Sequence, residues 1–406
     1  MISRKFVTFA LLLAALPTAV VAQEVDLEFG GQVRPRFEYR DPLLLPDGGA
    51  ENFVSMRTRL DLRASLDDNL AAFIQIQDVR LWGSEGSTLG DFSANGLDIH
   101  QAYIDLGKAV DGGFMGRFGR QEVNFGGQRL IGSVNWAQQA RSFDGIRVGS
   151  GGSVGNIDVF AAKLADAQAG DIEAEADLVS AYGTWDITGT QDLDLYWIYD
   201  HRSDNEADPG DQKTNRHTFG TRWVGNVSRL TYRAEGSYQT GQLLGTDVSA
   251  FMFGGRLAYG FGGKASVTLW YDYLSGDGDL DDDTLKVFDT LFATNHKFYG
   301  FADLFLNIPV HTGGRGLQDM AIKGSYRFNP EWMLRLDLHS FHMADKGPLA
   351  SGHFGEEIDV VASWKYNKYL TMSAGVAYVF QNDGWAEIGR LTRDLGWVYV
   401  MLDAKF

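Results

Sequence analysis

The sequence VYVMLDAKF, residues 398 to 406, places its side chains on two regularly alternating faces. Because successive side chains of a β-strand point to opposite sides, residues of the same parity share a face. One face carries Val398, Val400, Leu402, Ala404 and Phe406, and the other carries Tyr399, Met401, Asp403 and Lys405. This pattern predicts a strand with lipid on one side and water on the other. At this site alone, an edge strand of a soluble sheet is equally consistent.

The N-terminus indicates export from the cytoplasm. Arg4 and Lys5 precede the apolar run from Phe6 to Pro17, and residues 20–22 provide a cleavage site. This arrangement predicts a cleaved signal peptide at residues 1–22 and a single mature domain at 23–406. Beyond Gln23 no apolar stretch approaches the roughly 20 residues that a membrane helix needs. The mature chain is therefore either soluble outside the cytoplasm or a β-barrel.

The composition favours strands over helices. The 406 residues include 49 glycines, 13% aromatic residues and only 8 prolines, as expected for many strands with aromatic belts. Cysteine is absent, although exported proteins have access to disulfides, so stability must come from hydrogen bonding and packing.

Runs with a period of two residues, bounded by turn signals, predict eighteen strands. They lie near residues 25–40, 53–66, 70–82, 97–107, 114–123, 143–150, 154–164, 178–188, 192–202, 216–225, 229–240, 250–261, 264–275, 316–328, 331–344, 354–366, 370–382 and 395–406.

The connections between these strands alternate in length. Tight turns are predicted at 67–69, 149–153, 189–191, 262–263, 329–330 and 367–369, and long connections at 41–52, 83–96, 124–142, 165–177, 203–215, 276–315, 345–353 and 383–394. A soluble sandwich has no reason to separate loops by length, whereas outer-membrane barrels have short periplasmic turns and long extracellular loops. The predicted fold class is therefore an all-β transmembrane antiparallel β-barrel of 18 strands, with both termini on the periplasmic side.

The second predicted strand shows what each face of this barrel would contact. One face carries Met56, Leu60, Leu62, Ala64 and Leu66, and the other carries Ser55, Arg57, Arg59, Asp61, Arg63 and Ser65. Lipid is the better partner for such long apolar faces, because the chain offers nothing else large enough to cover them. The polar faces would then line a lumen that eighteen strands make wide enough for water.

The charge is unevenly distributed. Of the formal net charge of -17, the connections 165–177, 203–213 and 276–289 account for -13, with 15 acidic against 2 basic residues. By contrast, the segment from Arg117 to Arg147 has five arginines against Glu122 and Asp144. One interpretation is a basic constriction beneath an acidic rim. The alternative is the ordinary mixture of charges in barrel lumens and polar loops.

Four segments carry a resemblance to a known family. They are SMRTRLDLRASLDDNLAAFIQIQDVRLWG at residues 55–83, GLDIHQAYIDLG at 96–107, GRFGRQEVNFGGQRLIGSVNWAQQARSFDGIRV at 116–148 and FDTLFATNHKFYGFAD at 288–303. The chain resembles the alginate export family of outer-membrane barrels, closely over its first third and locally near residue 290. The resemblance implies a monomeric 18-stranded barrel whose arginine-lined lumen passes a polyanionic uronate polysaccharide.

The predicted substrate pathway follows from this resemblance and from the rings of like charge that give pores their selectivity. The pathway residues are Arg57, Arg59, Arg63, Arg80, Arg117, Arg120, Arg129, Arg141 and Arg147, with Gln75, Gln77, Gln101 and Tyr103 as further polar lining. For Arg57, Arg59 and Arg63 the alternative role is pairing with Asp61 and neighbouring strands.

No catalytic residue, cofactor or nucleic-acid partner is predicted. His339 and Ser340 are adjacent in a strand and point to opposite faces, which discourages a hydrolase pair. Asp277, Asp279 and Asp281 have calcium-like spacing but lack the glycine and distal glutamate of an EF-hand loop. No metal site is therefore predicted, and these three residues are weak candidates only.

The predicted location is the outer membrane of a Gram-negative cell. The expected partners are outer-membrane lipid, lipopolysaccharide, an anionic polysaccharide and the barrel insertion machinery, which would recognise the closing strand ending at Phe406. A general or substrate-selective diffusion porin would share this architecture and stays open as the alternative function. An outer-membrane enzyme would need a nucleophile or acid pair at the rim, and none can be assembled from the sequence.

Overall fold

The computed structural model describes residues 25–41, 49–84, 96–107, 113–165, 175–203, 213–279 and 282–406. The first strands are β1 (Asp26–Asp41), β2 (Glu51–Ser65), β3 (Leu70–Leu81), β4 (Leu97–Gly107), β5 (Phe114–Gln121), β6 (Phe143–Gly152), β7 (Gly155–Ala165), β8 (Ala176–Asp186), β9 (Gln191–Arg202) and β10 (Thr214–Val227). They are followed by β11 (Leu230–Leu243), β12 (Thr246–Phe261), β13 (Ala265–Leu274), β14 (Thr284–Leu285), β15 (Leu317–Arg327), β16 (Trp332–His342), β17 (His353–Lys365), β18 (Leu370–Gln381) and β19 (Leu395–Lys405).

The sheet closes on itself between its first and last strands. Arg36 of β1 lies opposite Ser55 of β2 on one side and Met401 of β19 on the other. The two-residue strand β14 runs parallel to β12 and is not part of the barrel wall, whose eighteen strands are antiparallel to their neighbours. The predicted all-β antiparallel barrel of 18 strands is confirmed.

The last residue of the chain belongs to the seam of the barrel. Gly31 N donates to Phe406 O at 2.9 Å, and Phe406 N donates to Gly31 O at 3.1 Å. The final strand and its terminal aromatic residue therefore close the hydrogen-bonding ring of the sheet.

Loop length separates the two ends of the barrel as predicted, with one exception. The end that carries the turns after β2, β6, β8, β10, β12, β15 and β17 is called the short-turn end, and the opposite end the long-loop end. At the long-loop end, β11 and β12 are joined by Leu244 and Gly245 alone. Both residues have positive φ, 48° and 78°, the geometry that a type I′ hairpin turn requires.

The two faces of the wall differ as the alternation predicted. Apolar side chains on the outer face are strongly exposed, for example Leu60 at 50% and Leu269 at 55%, and lipid can cover them in a membrane. The alternating polar side chains Arg57, Arg233 and His339 are buried inside the barrel.

Helices are few and short in the described residues. They are α1 (Ile308–His311), α2 (Asp383–Glu387) and a 3-10 turn at Asn295–Lys297. None of them is long and apolar enough to cross a membrane.

The hydrophobic core lies inside the barrel, where the sequence predicted a lumen wide enough for water. Phe288, Phe298 and Tyr299, from the connection between β13 and β15, are buried in one cluster with Phe160 of β7 and Leu178 of β8. The strand count sets the diameter of a barrel but does not say whether loops fold into it. Here they do, so the lumen is partly occupied by the chain itself. The predicted signal peptide and the acidic residues of 166–174, 204–212 and 280–281 lie outside the described residues.

Candidate functional site: a partition across the lumen

Two loops meet inside the barrel. The arginine loop (residues 122–142) joins β5 to β6, and the long loop (residues 275–316) joins β13 to β15. Ile131 and Phe292 form a parallel bridge, in which Phe292 N donates to Leu130 O at 2.8 Å and Gly132 N donates to Phe292 O at 2.9 Å. The two loops therefore form one hydrogen-bonded unit within the lumen.

Arginines of β1 and β2 hold one side of this unit. Arg34 donates to the carbonyl oxygens of Asn135 at 2.7 Å, Trp136 at 3.2 Å and Ala137 at 3.1 Å. Arg57 donates to the carbonyl oxygens of Ala137 and Gln138, both at 3.3 Å. A carbonyl satisfies a guanidinium donor without neutralising it, so both arginines anchor the arginine loop and keep their positive charge.

A buried ion-pair cluster holds the other side. Arg129 of the arginine loop lies 2.6 Å from Asp272 of β13 and 3.7 Å from Glu235 of β11, and it donates to the Tyr299 hydroxyl at 2.7 Å. Arg233 of β11 pairs with the same two carboxylates. Two cations thus meet two anions, and the cluster ties both loops to the wall opposite β1 and β2. Such a cluster is costly to break, because removal of one partner leaves a buried charge uncompensated.

The narrow part of the unit is an aromatic stack. The rings of Trp136 and His296 are parallel within 4°, with centroids 4.2 Å apart. Tyr399 and Trp397 of β19 pack edge-on against Trp136, with centroids at 5.0 and 5.9 Å. A hydrogen bond of 2.6 Å between His296 Nδ1 and Asp303 Oδ1 fixes the orientation of the imidazole. We call the Trp136–His296 stack the partition.

Two cavities touch this partition from opposite ends. The upper cavity, of about 470 Å³, lies towards the long-loop end, and the lower cavity, of about 380 Å³, lies towards the short-turn end. Beside Trp136 and His296, the upper cavity is lined by Arg36, Glu38, Ser55, Gln138 and Asp303. The lower cavity is lined by Gln128, Lys297, Phe301, Arg335, Ser363 and Tyr399.

The lower cavity has a positive lining. Lys297 and Arg335 face it, and no carboxylate occurs among the described residues that line it, although Arg335 pairs with Asp337 on the same strand. Burial, followed by the positive charges of Arg256 and Arg222, lowers the pKa of Lys297 from its usual value. Within the described part of the chain, Lys297 and Arg256 form no ion pair. Positive charge therefore accumulates beneath the partition.

Five of the nine predicted pathway arginines lie on the inner wall. They are Arg57, Arg59, Arg63, Arg117 and Arg147. Arg59 pairs with Glu122, and Arg147 pairs with Asp158. Arg63 and Arg117 both pair with Asp105. Arg117 and Arg147 also line a third cavity of about 670 Å³ near the short-turn end. Carboxylates from other strands thus compensate much of this predicted positive charge.

Arg80 and Arg120 differ from the other predicted pathway arginines: Arg80 borders the upper cavity, whereas Arg120 does not face the lumen. Arg80 lies opposite Met56 in the strand register, donates to Asp78 at 2.6 Å and is among the residues that line the upper cavity. Arg120 lies opposite Asp144 and donates to it at 2.8 Å. Both residues share a face of the sheet with the exposed side chains of Phe118 and Ile146. Strand parity places Arg120 outside the barrel.

Arg129 and Arg141 lie in the arginine loop and hold it in place. Arg129 is buried in the ion-pair cluster, so no solute can approach it directly in this conformation. Arg141 donates to the carbonyl oxygens of Gly132, Phe292 and Ala293, and burial lowers its pKa. Like Arg34, it keeps a positive charge that no carboxylate compensates in the described residues.

The predicted polar lining forms a connected network on the inner wall. Gln75 donates to Asp61 at 2.6 Å, and Gln101 donates to Gln75 at 3.2 Å. Gln77 donates to the Gln139 carbonyl at 2.9 Å, and Tyr103 lies under Arg117, with the guanidinium 3.9 Å from the ring centroid. These four residues lie on the inner face of the wall, and their contact with a solute stays a prediction.

The sequence analysis missed Arg34, Arg36, Trp136, Lys297 and Arg335. A signal existed for the first two, because Gln32, Arg34, Arg36 and Glu38 alternate with apolar residues in β1 as the arginines of β2 do. Lys297 lies in irregular chain, where no periodicity indicates a direction.

The acidic residues considered as a weak calcium site serve the loop itself. Asp277 accepts from the backbone amides of Asp279 and Lys286, both at 3.2 Å, and is buried. Asp281 lies outside the described residues, and Asp277 and Asp279 are not in a group with metal-ligand geometry. Asp289, from the predicted acidic rim, pairs with Arg216 at 2.9 Å.

Comparisons with known proteins agree with this architecture. The model of the family described as alginate export matches residues 25–385, while no curated protein sequence matches the chain. Among solved structures, Pseudomonas aeruginosa OccK3 (OpdO) is similar with a TM-score of 0.64 at 12% identity, covering 94% of this chain and 96% of that one. Acinetobacter baumannii OccAB1 is similar with a TM-score of 0.63 at 11% identity, covering 94% and 96%. Pseudomonas aeruginosa OpdK, solved with vanillate, has a TM-score of 0.60 at 11% identity, covering 94% and 98%. Family and fold are those of a porin-type transport channel of the outer membrane, and the chain belongs to the alginate export family.

Proposed function

We propose that this outer-membrane channel passes carboxylate-bearing anions, and that its cargo is an anionic polysaccharide of the kind the family name denotes. The observation that carries the proposal is the lower cavity. It offers the Lys297 ammonium to a solute, with no carboxylate among its described lining residues, whereas the charge of Arg335 is compensated by Asp337 behind it. A polyanion that reaches the partition would find compensation for its charge there.

The electrostatics of the lumen support an anion. Arg34, Arg57 and Arg141 bind carbonyl oxygens, and Arg256 and Lys297 have no carboxylate partner in the described residues. Desolvated cations without counter-charges raise the free energy of the empty channel. A passing carboxylate lowers that free energy, because it supplies the negative charge that these cations lack.

Aromatic residues around the partition suit a sugar. Trp136, Phe301 and Tyr399 line the lower cavity. The negative face of an aromatic ring attracts the positively polarised C–H groups on the face of a sugar ring. Together with Lys297 and Arg335, these rings provide the two kinds of contact that a uronate unit needs.

A channel selective for small carboxylates is the second candidate. Cavities of about 470 and 380 Å³, separated by the partition, accommodate a small solute without movement of the chain. A polysaccharide requires the Trp136–His296 stack to open. The likeness to OpdK, which was solved with vanillate, an aromatic carboxylate, favours the small-solute alternative.

Single-channel recording separates these possibilities. We expect purified protein in planar bilayers to give an anion-selective reversal potential in a potassium chloride gradient. We also expect oligo-uronates to block the current at lower concentrations than neutral oligosaccharides of equal length. Block by a monomeric carboxylate but not by oligo-uronates would favour the small-carboxylate channel. Cation selectivity would refute both.

A further inference from the structure

We propose that Asp337, His339 and Asp359 bind a divalent transition-metal ion, of the class of zinc, inside the barrel wall. Asp337 and His339 lie two residues apart on the inner face of β16, and Asp359 lies opposite Asp337 on β17. One ligand atom from each residue lies within 4.8 Å of the other two, and all three side chains are buried. Ligands around a tetrahedral zinc ion are roughly 3.4 Å apart, so a small contraction completes the site.

The orientation of His339 points to a metal ligand. Its Nδ1 lies 2.8 Å from Asp319 Oδ1, and both side chains have 0% exposure. Its Nε2 is buried with no hydrogen-bond partner in the described part of the chain. A carboxylate on one imidazole nitrogen and a metal on the other is the arrangement that orients most metal-bound histidines.

The charges around this site leave room for a further cation or a proton. The carboxylates of Asp319, Asp337, Glu357 and Asp359 are all buried. The two neighbouring basic side chains, Lys323 and Arg335, both pair with Asp337. Oδ1 of Asp359, Oε2 of Glu357 and Oδ2 of Asp319 are buried without a hydrogen-bond partner in the described residues. Buried carboxylates in excess of cations are costly unless they coordinate a metal or take up a proton.

The site lies where the long loop touches the wall. Phe301 N donates to Asp359 Oδ2 at 3.3 Å, and Ala302 N donates to Glu357 Oε1 at 2.8 Å. Gly300 makes this approach possible, because a Cβ there would come within 2.5 Å of Glu357 Oε2. A metal that fixes Asp359 therefore also fixes the segment of the long loop that carries His296 and Lys297.

Nitrogen and oxygen ligands together determine the metal class. One imidazole with two carboxylates suits zinc, manganese or iron(II), whereas calcium and magnesium prefer oxygen ligands alone. We therefore expect Zn²⁺ to bind more tightly than Ca²⁺, and to raise the thermal unfolding temperature of the barrel.

The experiment uses the whole chain, purified in detergent, stripped with a chelator and titrated with Zn²⁺ alone by calorimetry. We expect one tightly bound ion per chain. His339→Gln should weaken binding at least tenfold, and Asp359→Asn, which keeps the size of the side chain, should do the same. His342→Gln, on the outer face of the same strand, is the matched control and should bind as the wild type does.

Folding of each variant is checked by the shift of the barrel band on heating before electrophoresis. X-ray absorption at the zinc edge should show nitrogen and oxygen ligands with one imidazole. Absence of stoichiometric zinc in the folded wild type would overturn the proposal and would indicate a proton shared by Glu357 and Asp359. Unchanged zinc binding by folded Asp359→Asn would overturn it too.

Discussion

Replacing Lys297 by glutamine tests whether the positive lining of the lower cavity controls selectivity. The Lys297 ammonium donates to the Gly127 carbonyl at 3.2 Å and forms no ion pair in the described residues. The substitution removes a charge without leaving a carboxylate unpaired, so we expect the barrel to fold normally. Any change in ion preference can then be assigned to the charge.

The size of the effect follows from the distance between this charge and a passing anion. Two unit charges 4 Å apart attract by about 1 kcal/mol in water and by about 4 kcal/mol near a protein surface. A cavity of about 380 Å³ is no wider than the Debye length of about 10 Å at 0.1 M salt, so ions screen the interaction only in part. Loss of about 1 kcal/mol corresponds to roughly a fivefold fall in the anion-to-cation permeability ratio, and we take this as the lower limit.

The assay is the reversal potential in a tenfold gradient of potassium chloride. Arg120→Gln is the matched control, because it also removes one positive charge but on the outer face. We expect a shift towards cation preference for Lys297→Gln and none for Arg120→Gln. Equal shifts in the two variants, or an unchanged potential for Lys297→Gln, would refute the reasoning.

Four further predictions concern the partition, one of its anchors, the titration of His311 and the seam. Trp136→Ala should at least double single-channel conductance, because it joins the two cavities, whereas Trp223→Ala on the outer face should not; equal conductances would contradict the partition. Arg129→Met should destabilise the protein by about 3–5 kcal/mol in thermal unfolding, because it leaves buried carboxylates uncompensated, while Arg129→Lys should retain part of that stability; no loss for the methionine variant would exclude this anchor. Burial, followed by the charge of Arg390, lowers the pKa of His311 to about 4, so an unfolded chain takes up a proton between about pH 6.5 and 4 that the folded chain does not. The contribution of His311 is therefore present above pH 6.5 and lost on acidification, by at most about 1 kcal/mol given its partial exposure, and His311→Asn should flatten this part of the unfolding temperature against pH. Deleting Phe406 should lower the folded fraction in the outer membrane without changing export, and an unchanged yield would count against its role as an assembly signal.

The barrel wall was predictable because its information is local. Alternation within ten or so residues gave the strands, and the separation of loop lengths gave the two ends of the barrel. The same parity could have excluded Arg120. Arg117 faces the lumen from β5, and Arg120 differs from it in parity within the same strand.

The partition was not predictable, because its contacts join distant parts of the chain. Arg34 and Asn135 are 101 residues apart, and Arg129 and Asp272 are 143 residues apart. No local pattern indicates that a loop turns inward, since a polar or aromatic residue in irregular chain is consistent with either direction. The net charge of a sequence segment is equally uninformative when its counter-charges come from other strands, as Asp105 and Asp158 do for Arg117 and Arg147.

The chemistry of each anchor decides whether an arginine also contributes to selectivity. An arginine that pairs with a carboxylate, such as Arg129 with Asp272, adds little net potential at the partition, because the two charges nearly cancel beyond their own separation. An arginine that binds carbonyl oxygens, such as Arg34 or Arg141, fixes the loop equally well and leaves a full positive charge in the lumen. The anchors of the arginine loop near β1 therefore also contribute positive charge to the lumen, whereas the anchor at β13 does not. It follows that Arg34→Gln should alter both the rigidity of the partition and the preference for anions. Arg147→Gln should act differently, because Asp158 compensates the charge of Arg147. Its effect on ion preference should come from the Asp158 carboxylate that it releases towards the lumen.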